Sequence, residues 1–160
     1  MTIEDKYLKA YFGKESEYFL EKYKSYKSGD KFSFSIWIFF FGAHWFLYRK
    51  MWFEAIVVIL IYVLIERIGN TLLETQSFEL DNLILAFMII RFSITLVIGF
   101  IGNNIYLKKT EKKIHKVLSR IPDEDKRIKT LKKIGGVSWA PFILGVVELC
   151  ILILLNAGII

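Results

Sequence analysis

Residues 32–52 read FSFSIWIFFFGAHWFLYRKMW, a run in which Phe, Trp and Tyr fill nearly half the positions before it stops at Arg49-Lys50. The first question is what solvent such a stretch sits in. Hydrophobic residues make up 54% of the chain, more than a water-soluble domain of 160 residues usually carries, while the charged 24% must be segregated elsewhere. A membrane is the solvent that fits. Four apolar stretches follow one another, Phe32–Tyr48, Met51–Ile65, Leu83–Leu107 and Val137–Ile160, separated by short charged segments. A helix needs about 20 apolar residues to cross about 30 Å of hydrocarbon. The last two stretches clear that length, the first sits at its lower limit, and the second reaches it by extending through Glu66 to Asn70.

Charge orients these stretches. Lys108–Lys133 carries eleven Lys and Arg against four acidic residues, whereas Glu66–Asp81 has Arg67 alone against four. Lys and Arg are retained on the cytoplasmic side, so 108–135 is expected inside and 71–82 outside. The third stretch then runs outside to inside, the second and fourth run the other way, and the C-terminus is extracytoplasmic. If Phe32–Tyr48 also spanned, the N-terminus would lie outside, and Lys22, Lys24, Lys27 and Lys31 would have to cross. If it enters and returns, or lies in the interface, every cytoplasmic segment is basic. The second arrangement is the expected one. Its aromatic load agrees, because Trp and Tyr favour the headgroup level, which makes Trp37, Trp45, Tyr48 and Trp52 candidate interface aromatics.

The soluble ends read as helices. Tyr7, Leu8, Tyr11 and Phe12, then Tyr18, Phe19, Tyr23 and Tyr26, recur three or four apart among Lys and Glu, with Gly13 dividing two amphipathic helices within residues 1–31. Their aromatic face is expected to pack on the membrane surface or on the basic loop. Six acidic residues interleaved with seven Lys make a poor phosphate track, so no nucleic acid is expected, and no signal peptide is read there. In the basic segment Leu107, Ile114, Val117, Leu118 and Ile121 form one face up to Pro122. A second helix then carries Asp123-Glu124-Asp125 at its positive end and Lys132-Lys133 before Gly135 at its negative end. The expectation is a cytoplasmic helical hairpin with an apolar seam and a cationic exterior.

The run FGKESEYFLEKYKSYKSGDKFSFSIWIFFFGAHWFLYRKMW, residues 12–52, resembles the hallmark of an uncharacterised bacterial membrane-protein family catalogued as domain of unknown function 2628. Gly102-Asn103-Asn104-Ile105-Tyr106 is similar to the family's later Gly-Asn-x-x-Tyr element, and Gly135-Gly136-Val137-Ser138 resembles a further one. Two departures stand out. Ser35-Ile36-Trp37-Ile38 replaces an Asn-Trp-Ala-Ala order, and Gly42-Ala43-His44-Trp45 replaces Gly-Pro-Phe-Trp. The missing Pro weakens the case for a sharp break near Gly42. The resemblance implies a membrane address, here the bacterial cytoplasmic membrane, and no mechanism.

The fold expected is therefore an all-α integral membrane protein with three transmembrane helices (51–70, 83–107 and 137–160), an aromatic re-entrant or interfacial segment (32–50), N-terminal amphipathic helices (1–31) and a basic cytoplasmic hairpin (108–135). Motifs for chemistry are sparse. His44 and His115 have no second His at metal spacing, Cys150 is a lone thiol in an apolar run, and no catalytic triad or phosphate-cradling glycine loop is present. No metal, cofactor or catalytic residue is expected. Polar residues inside the spans carry more information. Arg91, Thr95, Gly99, Gly102-Asn103 and Tyr106 share one face of the third span, and Ser138, Pro141, Gly145 and Glu148 share one face of the fourth. Set antiparallel, these stripes place Arg91 opposite Glu148, Thr95 opposite Gly145, Gly99 opposite Pro141 and Asn103 opposite Ser138. An intramembrane Arg91–Glu148 pair is the expected result, since either charge alone in hydrocarbon is costly. Three functions follow from this reading: a non-catalytic accessory or protective module that binds a protein partner, a subunit of an oligomeric transporter or channel using the Arg–Glu pair, or a lipid-modifying enzyme. Membrane lipid, with a protein partner or a second copy of the chain, is the expected company.

Overall fold

The computed structural model describes residues 3–30, 33–74 and 80–156; residues 75–79 of the acidic connection and 157–160 of the last apolar stretch lie outside the described residues. In chain order the helices are α1 (Asp5–Phe12), α2 (Ser16–Lys27), α3 (Ile36–Phe41), α4 (Ala43–Tyr48), α5 (Trp52–Glu74), α6 (Leu80–Arg120), α7 (Glu124–Ile134) and α8 (Ala140–Asn156), with a 3-10 turn at Gly13–Glu15. Among the described residues there is no strand.

Helix α6 departs from the boundary read in the sequence. The span and the first helix of the basic hairpin are one continuous helix, because no Pro or Gly interrupts Leu107–Arg120 and the buried residues Leu107, Thr110, Ile114 and Val117 keep helical spacing. At 1.5 Å per residue its 41 residues extend about 60 Å, twice a hydrocarbon core. The upper half therefore belongs with α5 and the lower half with the polar helices. α5 and α6 run antiparallel. Lys109 Nζ meets Glu54 at 2.7 Å at one end, the Tyr62 and Thr95 hydroxyls meet at 2.6 Å midway, and Gly69 lies against the Phe87 ring towards the other end.

Around the lower half of α6 sits a cap of α1, α2 and α7. The aromatic face of the N-terminal helices turns onto the basic hairpin, one of the two packings its spacing allowed, and buries Tyr7, Leu8, Tyr11, Phe12, Phe19, Leu20 and Tyr23. Asp123 caps α7 by accepting from the Lys126 N–H at 2.8 Å. At the other end of α7, Gly135 lies so close to α1 that a Cβ there would stand 2.1 Å from the Tyr11 carbonyl oxygen. Gly136, at φ 64°, donates its N–H to the same carbonyl at 2.7 Å. Two adjacent glycines thus dock α7 directly onto the end of α1.

Two helices are long and apolar enough to cross a membrane, Trp52–Leu73 and Asn82–Arg120, and only 11% of the apolar window of either is buried within the chain. α8 is 17 residues long within the described chain and exposes Ile143, Val146, Val147, Ile151, Ile153 and Leu155. It packs on α4.

Candidate functional site

The aromatic run is a helical hairpin. Ser35 opens it: its side chain caps α3 by accepting from the Ile38 N–H at 3.4 Å, and its own N–H donates to the Gly99 carbonyl at 2.9 Å. α3 then follows α6 towards the apolar end, with the Phe39 and Phe92 rings 5.7 Å apart. The chain reverses at Gly42, where φ 48° and ψ −120° are accessible to glycine and strained for any residue with a Cβ. The break forms without the missing Pro because Gly42 supplies it alone. α4 brings the chain back, with Phe46 beside Gly102 and the Trp45 and Tyr106 rings 5.7 Å apart. Both ends of the hairpin therefore lie at the capped end of the α5–α6 pair. From Asn103 to Phe92 its excursion along α6 is about 16 Å at 1.5 Å per residue, half the thickness of a hydrocarbon core.

At the foot of the returning arm stands Arg49, whose side chain is 1% exposed. Its Nη2 pairs with the Glu15 carboxylate at the turn between α1 and α2. Its guanidinium lies 4.3 Å from the Phe19 ring centre and 5.4 Å from those of Tyr48 and Tyr106. Among the described residues, Nε and Nη1 have no hydrogen-bond partner, and neither has the buried Asn103 Oδ1. Such orphaned buried donors and acceptors are expensive unless something satisfies them. Next in sequence, Lys50 takes the left-handed conformation (φ 56°) and donates from Nζ to the Gly135 carbonyl at 2.6 Å, placing a cation at the negative end of α7. Adjacent cations thus tie the hairpin to two different parts of the cap.

Between the hairpin, α8 and the α1–α2 turn opens a groove of about 650 Å³. Trp37, Phe41, Trp139 and Phe142 line its apolar part, with the Phe41 and Phe142 rings meeting edge to face at 5.9 Å; the exposed Lys14 and Glu17 line its cap end, and the buried Arg49 and Asn103 its floor. A smaller cavity of about 390 Å³ at the hairpin tip is lined by His44, Tyr62, Glu66, Arg91 and Thr95. Below the groove the Tyr11 hydroxyl is pushed up to about 12, chiefly by burial, with the Thr110 hydroxyl and Arg49 pulling the other way. Among the described residues no group of three His, Cys, Asp or Glu is gathered to hold a metal ion.

The polar stripes read from the sequence are occupied by the hairpin lying between them. Gly99 faces Phe34 and Phe39, Gly102 faces Ile38 and Phe46, and Asn103 donates to the Ser33 carbonyl at 3.4 Å. On the other stripe the Ser138 N–H donates to the Tyr48 carbonyl at 2.8 Å, Pro141 is buried, and Gly145 lies near the His44 ring. Small residues allow close approach as expected, but to the aromatic hairpin. Arg91 is exposed with its guanidinium 5.8 Å from the Tyr62 ring centre, and the side chain of Glu148 lies outside the described residues. Of the interface aromatics, Trp37 and Trp52 are exposed and Tyr48 is half-buried, whereas Trp45 is 6% exposed and packs in the core. In the sequence Arg49 marks only where the aromatic run stops. A pair of cations closing a dense aromatic stretch is the available signal, but the partner of Arg49, Glu15, is 34 residues away.

No curated protein and no solved structure matches the chain. A family model described as "Protein of unknown function (DUF2628)" matches residues 9–112, which takes in the hairpin, Glu15, Arg49, α5 and most of α6 and stops short of α7 and α8. The match covers well over half of the 160 residues, and the chain belongs to that family.

Proposed function

We propose that this chain is a small multi-pass protein of the bacterial cytoplasmic membrane that acts without catalysis, as an accessory or protective module binding a protein partner. The observation that carries the membrane part is the apolar exposure of α5 and α6. Core helices of a soluble protein hide such faces, whereas here Phe53, Leu60, Leu64, Met88, Ile89 and Phe92 are all exposed. In this reading α8 is the third span, the hairpin is re-entrant, and the cap with its eleven-cation segment is cytoplasmic. The test uses an impermeant maleimide on intact cells, with single cysteines at positions 15 and 76 in a Cys150→Ser background. Position 76 should label and position 15 should not. Equal labelling would overturn the topology.

The partner-binding role is supported by the polar cap, which leaves Lys9, Lys116, Lys126 and Lys132 exposed beyond the membrane end of the molecule. Purification in mild detergent followed by mass spectrometry should recover a protein partner. A homo-oligomer alone would instead favour the transporter reading, for which the cavity holding Arg91 and Glu66 speaks, and turnover of bound lipid would favour an enzyme. The Arg91–Glu148 pair belongs to the transporter reading. A double-mutant cycle of Arg91→Leu and Glu148→Leu on folding in detergent checks it: a double mutant no better than the summed singles removes it.

A further inference from the structure

We infer that the groove between the hairpin and α8 is a binding site for one diacyl phospholipid, with the phosphodiester at Arg49 and Lys14 and an acyl chain along Trp37, Phe41 and Phe142. This rests on the membrane reading above and adds a ligand to it. Three observations meet in the groove. Its volume of about 650 Å³ is open and walled by rings, so it accepts an apolar chain. It runs from Lys14 and Glu17 at the cap to Phe41 on α3 and Phe142 on α8, so it is polar at one end and apolar at the other, as the ligand is. On its floor the buried Arg49 keeps Nε and Nη1 without a partner among the described residues, while Glu15 takes only Nη2.

The chemistry of these groups selects the ligand. An ionised donor to a phosphate oxygen makes a strong charge-assisted contact, and with Nη2 held by Glu15 the Nε and Nη1 of Arg49 each remain as a single donor of that kind. Lys14 adds a second positive charge at the cap end, where Glu17 and the Arg49-bound Glu15 also line the groove and can face an ammonium, and Asn103 Oδ1 is left to accept from a hydroxyl or ammonium of the headgroup. A plain diacylglycerol would fill the apolar part and leave the guanidinium donors unsatisfied. Free phosphate would do the reverse.

The experiment is native mass spectrometry of the full chain, purified in mild detergent, delipidated and titrated separately with dioleoylphosphatidylglycerol, dioleoylglycerol and inorganic phosphate. One phospholipid per chain should bind at least about tenfold more tightly than the diacylglycerol, the cost of one unmade charge-assisted contact. Trp37→Ala should weaken it by about tenfold, and since Trp37 is 60% exposed its loss leaves the fold intact. Arg49→Lys should bring phospholipid and diacylglycerol together in affinity. Equal binding of the two by the wild type, phospholipid binding unchanged in Trp37→Ala, or binding of inorganic phosphate as tight as that of the lipid would each overturn the site. Carbonate-washed membranes separate this from the membrane reading: chain released by the wash overturns that reading, whereas chain that stays and binds no phospholipid overturns only the site.

Discussion

The cap and the α5–α6 pair obey opposite rules. In the cap, apolar side chains point inward and charged ones outward: Leu8, Phe12, Phe19, Ile114 and Leu131 are buried, with Lys and Glu around them. Along upper α5 and α6, large apolar side chains point outward, and the contacts between the helices include a Tyr62–Thr95 hydrogen bond and a Gly69–Phe87 approach. The hydrophobic effect organises the first region. Close backbone approach and polar contacts join the helices of the second. The hairpin joins the two, with its feet in the cap and its tip against the apolar pair.

The comparison can be broken most sharply where the cap is assembled. Gly135→Val sets a branched side chain against the Tyr11 carbonyl, so α7 must separate from α1. A loss of about 3 kcal/mol or more is expected, read as a lowered midpoint of thermal unfolding in detergent. The α5–α6 pair should keep its helical circular dichroism, since the atoms nearest a Cβ at Gly135 belong to Tyr11 and Leu131. If both regions melt together unchanged, the cap is not the separate unit its packing implies.

Glu15→Gln probes the link between cap and hairpin. It leaves the buried Arg49 charge without its carboxylate, at a cost of about 2 kcal/mol, below the usual value for a buried pair because Glu15 is 44% exposed. Adding Arg49→Met should recover part of that loss, and failure to recover any would show that the charge pair is not what holds the turn. At the hairpin tip, Gly42→Ala should cost about 1–2 kcal/mol through backbone strain alone, since nothing lies within 4 Å of a Cβ there. A fall in protection of hairpin amides from hydrogen exchange, with the cap unaffected, is the expected signature.

The smallest effect is electrostatic. Burial pushes the Glu111 carboxyl up, but the hydrogen bond and charge of Lys27 and the Tyr23 hydroxyl outweigh it, and the net shift is below the ordinary value of 4.5. A depressed carboxylate contributes stability that is present above its unfolded value and lost as pH falls through the folded one. The cap should therefore weaken slightly as pH falls below 4.5, the effect being small because Lys27 is exposed. Lys27→Met should flatten that limb, and an unchanged acid limb would remove Glu111 as its source.

Much of this architecture is legible in one dimension because it follows from local periodicity. The spacing of Tyr7, Leu8, Tyr11 and Phe12 marks a helix face wherever that face is buried, and the apolar lengths of 52–73 and 83–107 do not depend on neighbours. Asp123 and Gly135 mark the ends of α7 for the same reason. What remained hidden is pairing across long separations. The stripes on α6 and α8 showed that something packs closely against each, but small residues state a distance of approach and not an identity, and the hairpin, supplied by residues 36–48, takes both.

By itself, then, the sequence determined the all-helical character, the two long apolar helices, the amphipathic faces of the cap and the aromatic composition of the hairpin. Each is a property of neighbouring residues and of the solvent they prefer. Only the tertiary structure decided that the aromatic run turns back at Gly42, that Arg49 is buried against Glu15 and Phe19, and that Lys50 closes the end of α7. These depend on contacts spanning 34 and 85 residues, where the same cations could equally have stayed in water. Their placement follows from the cost of leaving buried donors, helix ends and ring faces unmatched, which is settled only when the whole chain is folded.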